Sequence, residues 1–408
     1  MSGGSPASGP RWLAALRRRY TSDLHDTRSA AWLGIALGVA FGVCFATGVW
    51  SHLAQHPPGW FTYPARPAGL YRITQGAHVI TGTAAIPLLL AKLWVVHPHL
   101  LAWPPARSLL HGVERLALLP LVGGALFLLL SGTANVARWY PWSFFFPRAH
   151  FWAAWITIGA LIVHVGAKAA ATRDALRRGT ARRADPGSAP SPASAASGSP
   201  PDPVAPASPL PADRRAFLGG VAAASAALVV ATAGGTVSPL GRLSVLAQRR
   251  PGVGPQGLPV NKTAAAARVL APARDPAYRL AIEGAVARPV ALSLSDLQAL
   301  PQREATLPIA CVEGWSASAR WRGVPVRDLL ALAGAGPRAE VTVESLQPSG
   351  LYRSSTLNPG QTADADTLLA LALGGEPLHI DHGYPARLVG PNRPGVSQTK
   401  WVHRLVVR

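Results

Sequence analysis

Four long apolar runs fill most of the first 170 residues, at 31–52, 71–96, 116–137 and 151–170. Each is close to the ~20 residues that cross bilayer hydrocarbon as a helix. Aromatic rings gather at their ends: Trp50, Trp60, Tyr63 and Tyr71, then Trp139, Tyr140 and Trp142. Such belts mark a membrane–water boundary. A fifth apolar run, rich in Ala and Val, follows Arg214-Arg215 and reaches about Val237. From residue 258 the pattern changes to that of a soluble domain of roughly 150 residues, long enough to bury its own core. There, 278–283, 306–310, 340–344, 387–389 and 401–407 have strand character. The stretches 296–300, 326–333 and 364–373 read as helices.

The pattern predicts a multi-domain chain. A cytoplasmic N-terminus (1–30) leads into a four-helix membrane bundle (31–170), and a linker follows at 171–212. A fifth, anchoring helix (213–240) precedes a soluble α+β domain at 258–408. Residues 184–212 are almost entirely Pro, Ala and Ser, a composition that cannot bury a core and suits a flexible linker.

Charge sets the orientation. The formal net charge is +20. The Arg residues mostly flank apolar spans, at Arg17-Arg18-Arg19, Arg177-Arg178, Arg182-Arg183 and Arg214-Arg215. By the positive-inside rule, the N-terminus, the 107–115 loop and the tail after Lys168 are cytoplasmic. The loops at 55–67 and 140–147 are then outside. No basic stripe with interleaved aromatics is present, which argues against a nucleic-acid partner. No Gly-rich phosphate loop follows a strand, which argues against a nicotinamide-binding domain.

The run from Asp213 through Arg214-Arg215-Ala216-Phe217-Leu218 to Gly219-Gly220 resembles a twin-arginine export signal placed inside the chain. It reads equally as an Arg pair at the cytoplasmic face of a fifth span. Both readings put the C-terminal domain outside, and the helix is expected to be retained. The expected location is therefore a bacterial cell membrane, multi-pass, with the last domain on the extracytoplasmic side.

There are two cysteines, Cys44 in an apolar span and Cys311 in the soluble domain. A bridge between them is implausible, so Cys311 is a thiol to be explained. Alone it would read as a buried, inert Cys. Its surroundings change that: Cys311-Val312-Glu313-Gly314-Trp315-Ser316 is followed by His382-Gly383-Tyr384-Pro385-Ala386-Arg387 and Lys400-Trp401. Between them come Trp321-Arg322-Gly323-Val324-Pro325 and Gly374-Gly375-Glu376-Pro377-Leu378. In order and spacing, residues 258–408 resemble the molybdopterin-binding domain of the sulfite oxidase superfamily. The Cys run is similar to that of the bacterial periplasmic methionine sulfoxide reductase catalytic subunit.

The resemblance implies a Mo-molybdopterin cofactor, with Cys311 as metal ligand and catalytic residue. A soft thiolate suits high-valent molybdenum. Arg387 and Lys400, with His382, Ser397 and Asn261, would then hold the pterin and its phosphate, because basic donors suit that anion. Trp315 and Trp321 read as core. True sulfite oxidases carry an Asn-Arg pair where Gly314-Trp315 stands, which argues against sulfite as substrate. Substrate class stays open between a sulfoxide or small sulfur or nitrogen oxo-compound and a small sulfur compound to be oxidised. No catalytic acid is assigned; Glu313, beside the Cys, reads at least as well as a structural ion pair.

Histidine in a membrane span is costly and usually functional. His52, His78, His150 and His164 are candidate ligands of a b-type haem, which takes two imidazoles from different helices. His150 and His164 lie about 21 Å apart along one helix with nearly the same facing. His78 is positioned to pair with either, and His52 is an alternative. His97 and His99 fall at a cytoplasmic end, and His111 reads as a loop residue. The arrangement resembles haem-bearing membrane subunits of the ferric reductase-like and cytochrome-b groups. The expected function is exchange of electrons between a membrane haem and an external molybdenum centre, with a quinone or another carrier as electron partner. The alternatives are a molybdoenzyme with a purely anchoring membrane domain and a non-catalytic binding module that keeps the fold.

Overall fold

The computed structural model describes residues 22, 24–100, 109–144, 146–184 and 214–408. The expected N-terminal Arg cluster, the Arg107 end of its loop, and the 185–212 part of the linker lie outside the described residues. So do the side chains of His99 and His111.

Five helices make up the N-terminal region: α1 (Thr27–Gln55), α2 (Leu70–Leu100), α3 (Leu109–Val136), α4 (Phe146–Ala184) and α5 (Arg214–Thr232). Among the described residues these five are long and apolar enough to cross a bilayer. The start of α1 is set by Asp26, whose carboxylate accepts the N–H groups of Arg28 at 2.7 Å and Ser29 at 2.8 Å. Such a cap satisfies donors that the first turn leaves open. Helix α4 continues to Ala184, so residues 171–184, expected in the linker, are helical. The stretch is rich in Ala and Arg, both strong helix formers, and the Pro-rich tract begins only after it.

The chain divides into two compact units, one of residues 1–42, 82–131 and 144–227, the other of 43–81, 132–143 and 228–408. In the first, Leu37, Ala40, Ala85, Leu89 and Ala125 form a small buried core. Many larger apolar side chains stay exposed there, including Val39, Leu90, Leu119 and Ile162. An exposed apolar surface of this kind marks contact with lipid or partners.

The second unit holds two five-stranded sheets. Its strands are β1 (Arg279–Gly284), β2 (Val290–Ser293), β3 (Arg303–Ala310), β4 (Ser316–Pro325), β5 (Val341–Ser345), β6 (Ser354–Leu357), β7 (Leu368–Leu373), β8 (Glu376–Pro377), β9 (Arg387–Val389) and β10 (Val402–Val407). Four short helices intervene: α6 (Leu270–Arg274), α7 (Leu294–Ala299), α8 (Val326–Leu332) and α9 (Pro359–Ala363). One sheet runs β2-β1-β10-β5-β6, with β1 and β10 parallel. The other runs β3-β4-β7-β8, with β9 also paired to β7. Leu280, Ile282, Leu329, Leu330, Val343 and Leu405 pack the first core, and Leu307, Ile309, Trp321, Leu368 and Val389 the second.

The stretch 364–373 is corrected. It is not a helix: its second half is β7, buried at every position. Strand β7 pairs with β4, β8 and β9. A strand covered on both faces loses the polar–apolar alternation and reads as a continuous apolar run.

Candidate functional site: a cationic cleft at Cys311

Strand β3 ends at Ala310, so Cys311 begins the turn that leads into β4. The turn closes on itself: Cys311 N–H donates to the Trp315 carbonyl at 2.8 Å, and Gly314 N–H to the Cys311 carbonyl at 3.1 Å. From the other side come Arg387, first residue of β9, and Lys400, just before β10. Two backbone bonds bring these strands' ends together, Leu388 N–H to Thr399 O and Val402 N–H to Ala386 O, both 2.8 Å. Gly383 fits between the two cations. Its φ is +115°, and a Cβ there would lie 3.1 Å from the Cβ of Arg387 and 3.1 Å from that of Lys400. Only Gly takes that conformation and that proximity without strain.

Together Cys311, His382, Arg387, Lys400, Asn261 and Trp315 line a small cleft. Five of the six residues expected at the molybdenum site therefore meet. Ser397 is not among the lining residues; its carbonyl accepts from the Arg393 guanidinium at 2.8 Å, and its neighbour Gly395 reaches the cleft. Trp315, expected in the core, is buried and also forms cleft wall. Trp321 is fully buried, with the Arg387 guanidinium 5.4 Å over its ring.

The electrostatics favour an anion. Among the described residues, no carboxylate lines the cleft. Arg387 is buried, and its polar contacts are few: one guanidinium nitrogen donates to the His382 carbonyl at 3.1 Å, while Nε has no hydrogen-bond partner. Burial lowers its pKa to about 10. Lys400 Nζ donates to the carbonyls of Lys262 at 2.7 Å and Asp381 at 2.9 Å. Burial, and then the nearby Arg387, push its pKa well down. His382 Nε2 donates to the Pro255 carbonyl at 2.7 Å. Burial, with Arg387 and Lys400 adding to it, lowers its pKa to about 4, so it is neutral near pH 7. Two buried cations without a carboxylate are costly unless an anion joins them. Cys311 is buried as well, and burial first, with Glu313 second, raises its thiol to about 12. A soft metal cation would reverse that, because coordination deprotonates a thiol. The donor set therefore fits an anionic cofactor carrying a thiophilic metal.

The turn is held from outside by residues that sequence reasoning missed. The structural ion pair expected of Glu313 is present: its carboxylate pairs with Arg249, the partner that sequence reasoning missed, and accepts from Trp315 Nε1 at 3.3 Å. Asn135 and Thr236 bond two carbonyls of the same turn. No local motif signals any of them, since each partner lies far away in sequence.

The haem candidates are half-buried and divide between the units. In the second unit, His78 Nδ1 lies 2.9 Å from the Cys44 carbonyl and 3.2 Å from Thr47 Oγ1. The His52 ring lies 5.1 Å from that of His56, tilted by 50°. In the first unit, His150 Nδ1 lies 3.1 Å from Ser131 Oγ, and its ring is 5.3 Å from that of Phe146. His164 belongs to the same unit.

Residues 268–408 match the family described as oxidoreductase molybdopterin binding domain. Mitochondrial sulfite oxidase of Rattus norvegicus is 33% identical over 164 residues, covering 33% of this chain and 30% of the relative. A protein of Azospira oryzae, described as the protein-methionine-sulfoxide reductase subunit YedZ1, is 32% identical over 130 residues, covering 32% of this chain and 48% of its own. The sulfane dehydrogenase SoxCD of Paracoccus pantotrophus has a TM-score of 0.30 at 30% identity, with 32% of this chain and 38% of that one covered. The chain thus spans between about a third and a half of the length of the curated relatives it matches. Residues 268–408 are thus similar to a molybdopterin-binding oxidoreductase domain, and sulfite oxidase is among the relatives that the chain resembles.

Proposed function

We propose that this chain is a membrane-bound molybdoenzyme that exchanges electrons between a b-type haem among its helices and a molybdenum centre at Cys311. The single observation that carries the reading is the cleft itself. It sets a buried thiol beside two buried cations, with no carboxylate among its lining residues. In this reading Cys311 supplies the protein thiolate to molybdenum. Arg387 and Lys400 hold the pterin phosphate, one as a planar fork and the other as a point charge. Neutral His382 and the Asn261 amide are polar contacts to the pterin, and Trp315 forms the wall beside the metal. Ser397 has a weaker claim, because Gly395 takes its place on the cleft wall. When bound, the cofactor supplies two-electron chemistry coupled to oxygen-atom transfer. The substrate is a sulfoxide or another small sulfur or nitrogen oxo-compound. The departure at Gly314-Trp315 argues against sulfite.

Support for the haem lies in His78 and His150. Each Nδ1 is engaged by a protein oxygen, His78 by the Cys44 carbonyl and Thr47, His150 by Ser131. Metal-binding imidazoles generally hold their second nitrogen in this way, which fixes the tautomer and the ring. His164 and His52 remain further haem candidates. The five apolar helices and the flanking Arg residues support a multi-pass membrane protein with Cys311 outside the cytoplasm. Residues 213–240 then serve as an uncleaved twin-arginine-like signal, and a quinone or another carrier is the electron partner.

The test is metal and haem quantification on detergent-purified, full-length protein, followed by sulfoxide-reduction and sulfite-oxidation assays. Molybdenum, a haem Soret band and sulfoxide reduction are expected. Molybdenum without haem after haem-replete expression would favour a merely anchoring membrane domain. Absence of both centres would sink the reading.

A further inference from the structure

The turn that carries Cys311 leaves its outer carbonyls to be satisfied by something else. Inside the turn, Cys311 N–H and C=O are spent on Trp315 and Gly314. The Val312 carbonyl accepts from Asn135 Nδ2 at 2.8 Å, and Asn135 is the penultimate residue of α3. The Gly314 carbonyl accepts from Thr236 Oγ1 at 2.6 Å, just past the end of α5. The Asn135 amide is itself oriented, because Tyr140 donates its hydroxyl to Oδ1 at 3.0 Å. Glu313, between the two carbonyls, is paired with Arg249. Gly314 has φ +81°, and a Cβ there would lie 3.0 Å from a methyl of Val136 and 3.4 Å from one of Val79. The turn thus rests on the ends of α3 and α5 and on the side of α2, with no room for a side chain at Gly314.

We propose that Asn135 and Thr236 are positioning residues for the Cys311 turn, so that the apolar helices fix the thiol donor and tune the metal it binds. The inference rests on the reading of Cys311 as a molybdenum ligand. Its physical basis is general: groups that orient a metal ligand tune the metal nearly as much as the ligand does, and losing one typically costs about 10- to 100-fold in affinity or activity. Both bonds are hydroxyl or amide donors to backbone carbonyls. Removing either frees one side of a five-residue turn that has few other external ties.

The experiment uses full-length holoenzyme in detergent, with Asn135→Leu, Thr236→Val and Thr236→Ser beside wild type. Molybdenum content, the Mo(V) paramagnetic resonance signal, the molybdenum midpoint potential and turnover with a soluble dye donor are measured. Asn135→Leu and Thr236→Val are expected to keep molybdenum but show a displaced Mo(V) signal and potential, with turnover down about tenfold. Thr236→Ser, which keeps the hydroxyl, is expected to match wild type. Wild-type signal and potential in both Asn135→Leu and Thr236→Val would overturn the inference while leaving Cys311 as ligand. If Asn135→Leu fails to fold, the Val and Ser variants at Thr236 decide alone. Wild-type protein without molybdenum would instead overturn the reading on which the inference rests.

Discussion

The guanidinium carbon of Arg387 lies 5.4 Å from the ring centroid of the fully buried Trp321. This stacking accounts for how a buried cation with an unpartnered Nε is tolerated. It also sets two opposite expectations for one mutation. In cofactor-free protein, Arg387→Met removes a buried charge that no carboxylate on the cleft wall offsets, so stability is expected to rise. In the holoenzyme it removes an anion partner, so molybdenum content falls. Arg387→Lys keeps the charge but loses the planar fork and falls between. Thermal unfolding of apo protein and elemental analysis of holo protein check the two signs.

Gly383 is the second sensitive position. Any side chain there meets Arg387 and Lys400 at a left-handed backbone conformation. Gly383→Ala is expected to cost about 1–3 kcal/mol in strain and to lower molybdenum content by splaying the two cations. Unfolding by denaturant, with metal analysis of the same preparation, is the check. Wild-type values for both would remove Gly383 from the account.

His382 gives a pH dependence whose sign is fixed. Its pKa in the folded chain is lowered to about 4 by burial, against about 6.5 in an unfolded chain. Between those values the unfolded state binds more protons, so stability rises with pH. The contribution is fully present above about pH 6.5 and is lost as the pH falls toward about 4. Its size is on the order of 3 kcal/mol. Melting of cofactor-free protein across this window is expected to show a steeper acid loss for wild type than for His382→Gln.

Leu369, second residue of β7, is fully buried between Val324 of β4 and Leu388 of β9. Leu369→Ala is expected to cost about 2–5 kcal/mol, measured by denaturant unfolding. A near-neutral result would contradict the placement of β7 at the centre of its sheet.

Much of the site was legible because its residues come in an ordered set. Cys311, His382, Arg387, Lys400 and Asn261 are each common residues alone, and the spacing tied them together. Ser397 was carried along by the same motif, but Gly395, two residues earlier in the same turn, takes the cleft wall. Strands with one buried face were recognised from alternation, as at 278–283 and 340–344. Strand β7 was not, because burial on both faces erases the period that separates strand from helix. Asn135, Thr236 and Arg249 were illegible for another reason. Their partners on the Cys311 turn lie 177, 78 and 64 residues away. Neither periodicity nor composition reports a hydrogen bond across such separations.

The central claim is that Cys311 is a sulfur ligand of molybdenum. X-ray absorption at the molybdenum edge counts sulfur neighbours directly, in wild type and in Cys311→Ser loaded under the same conditions. The account predicts one fewer sulfur scatterer in Cys311→Ser. An equal sulfur count in the two proteins would contradict it.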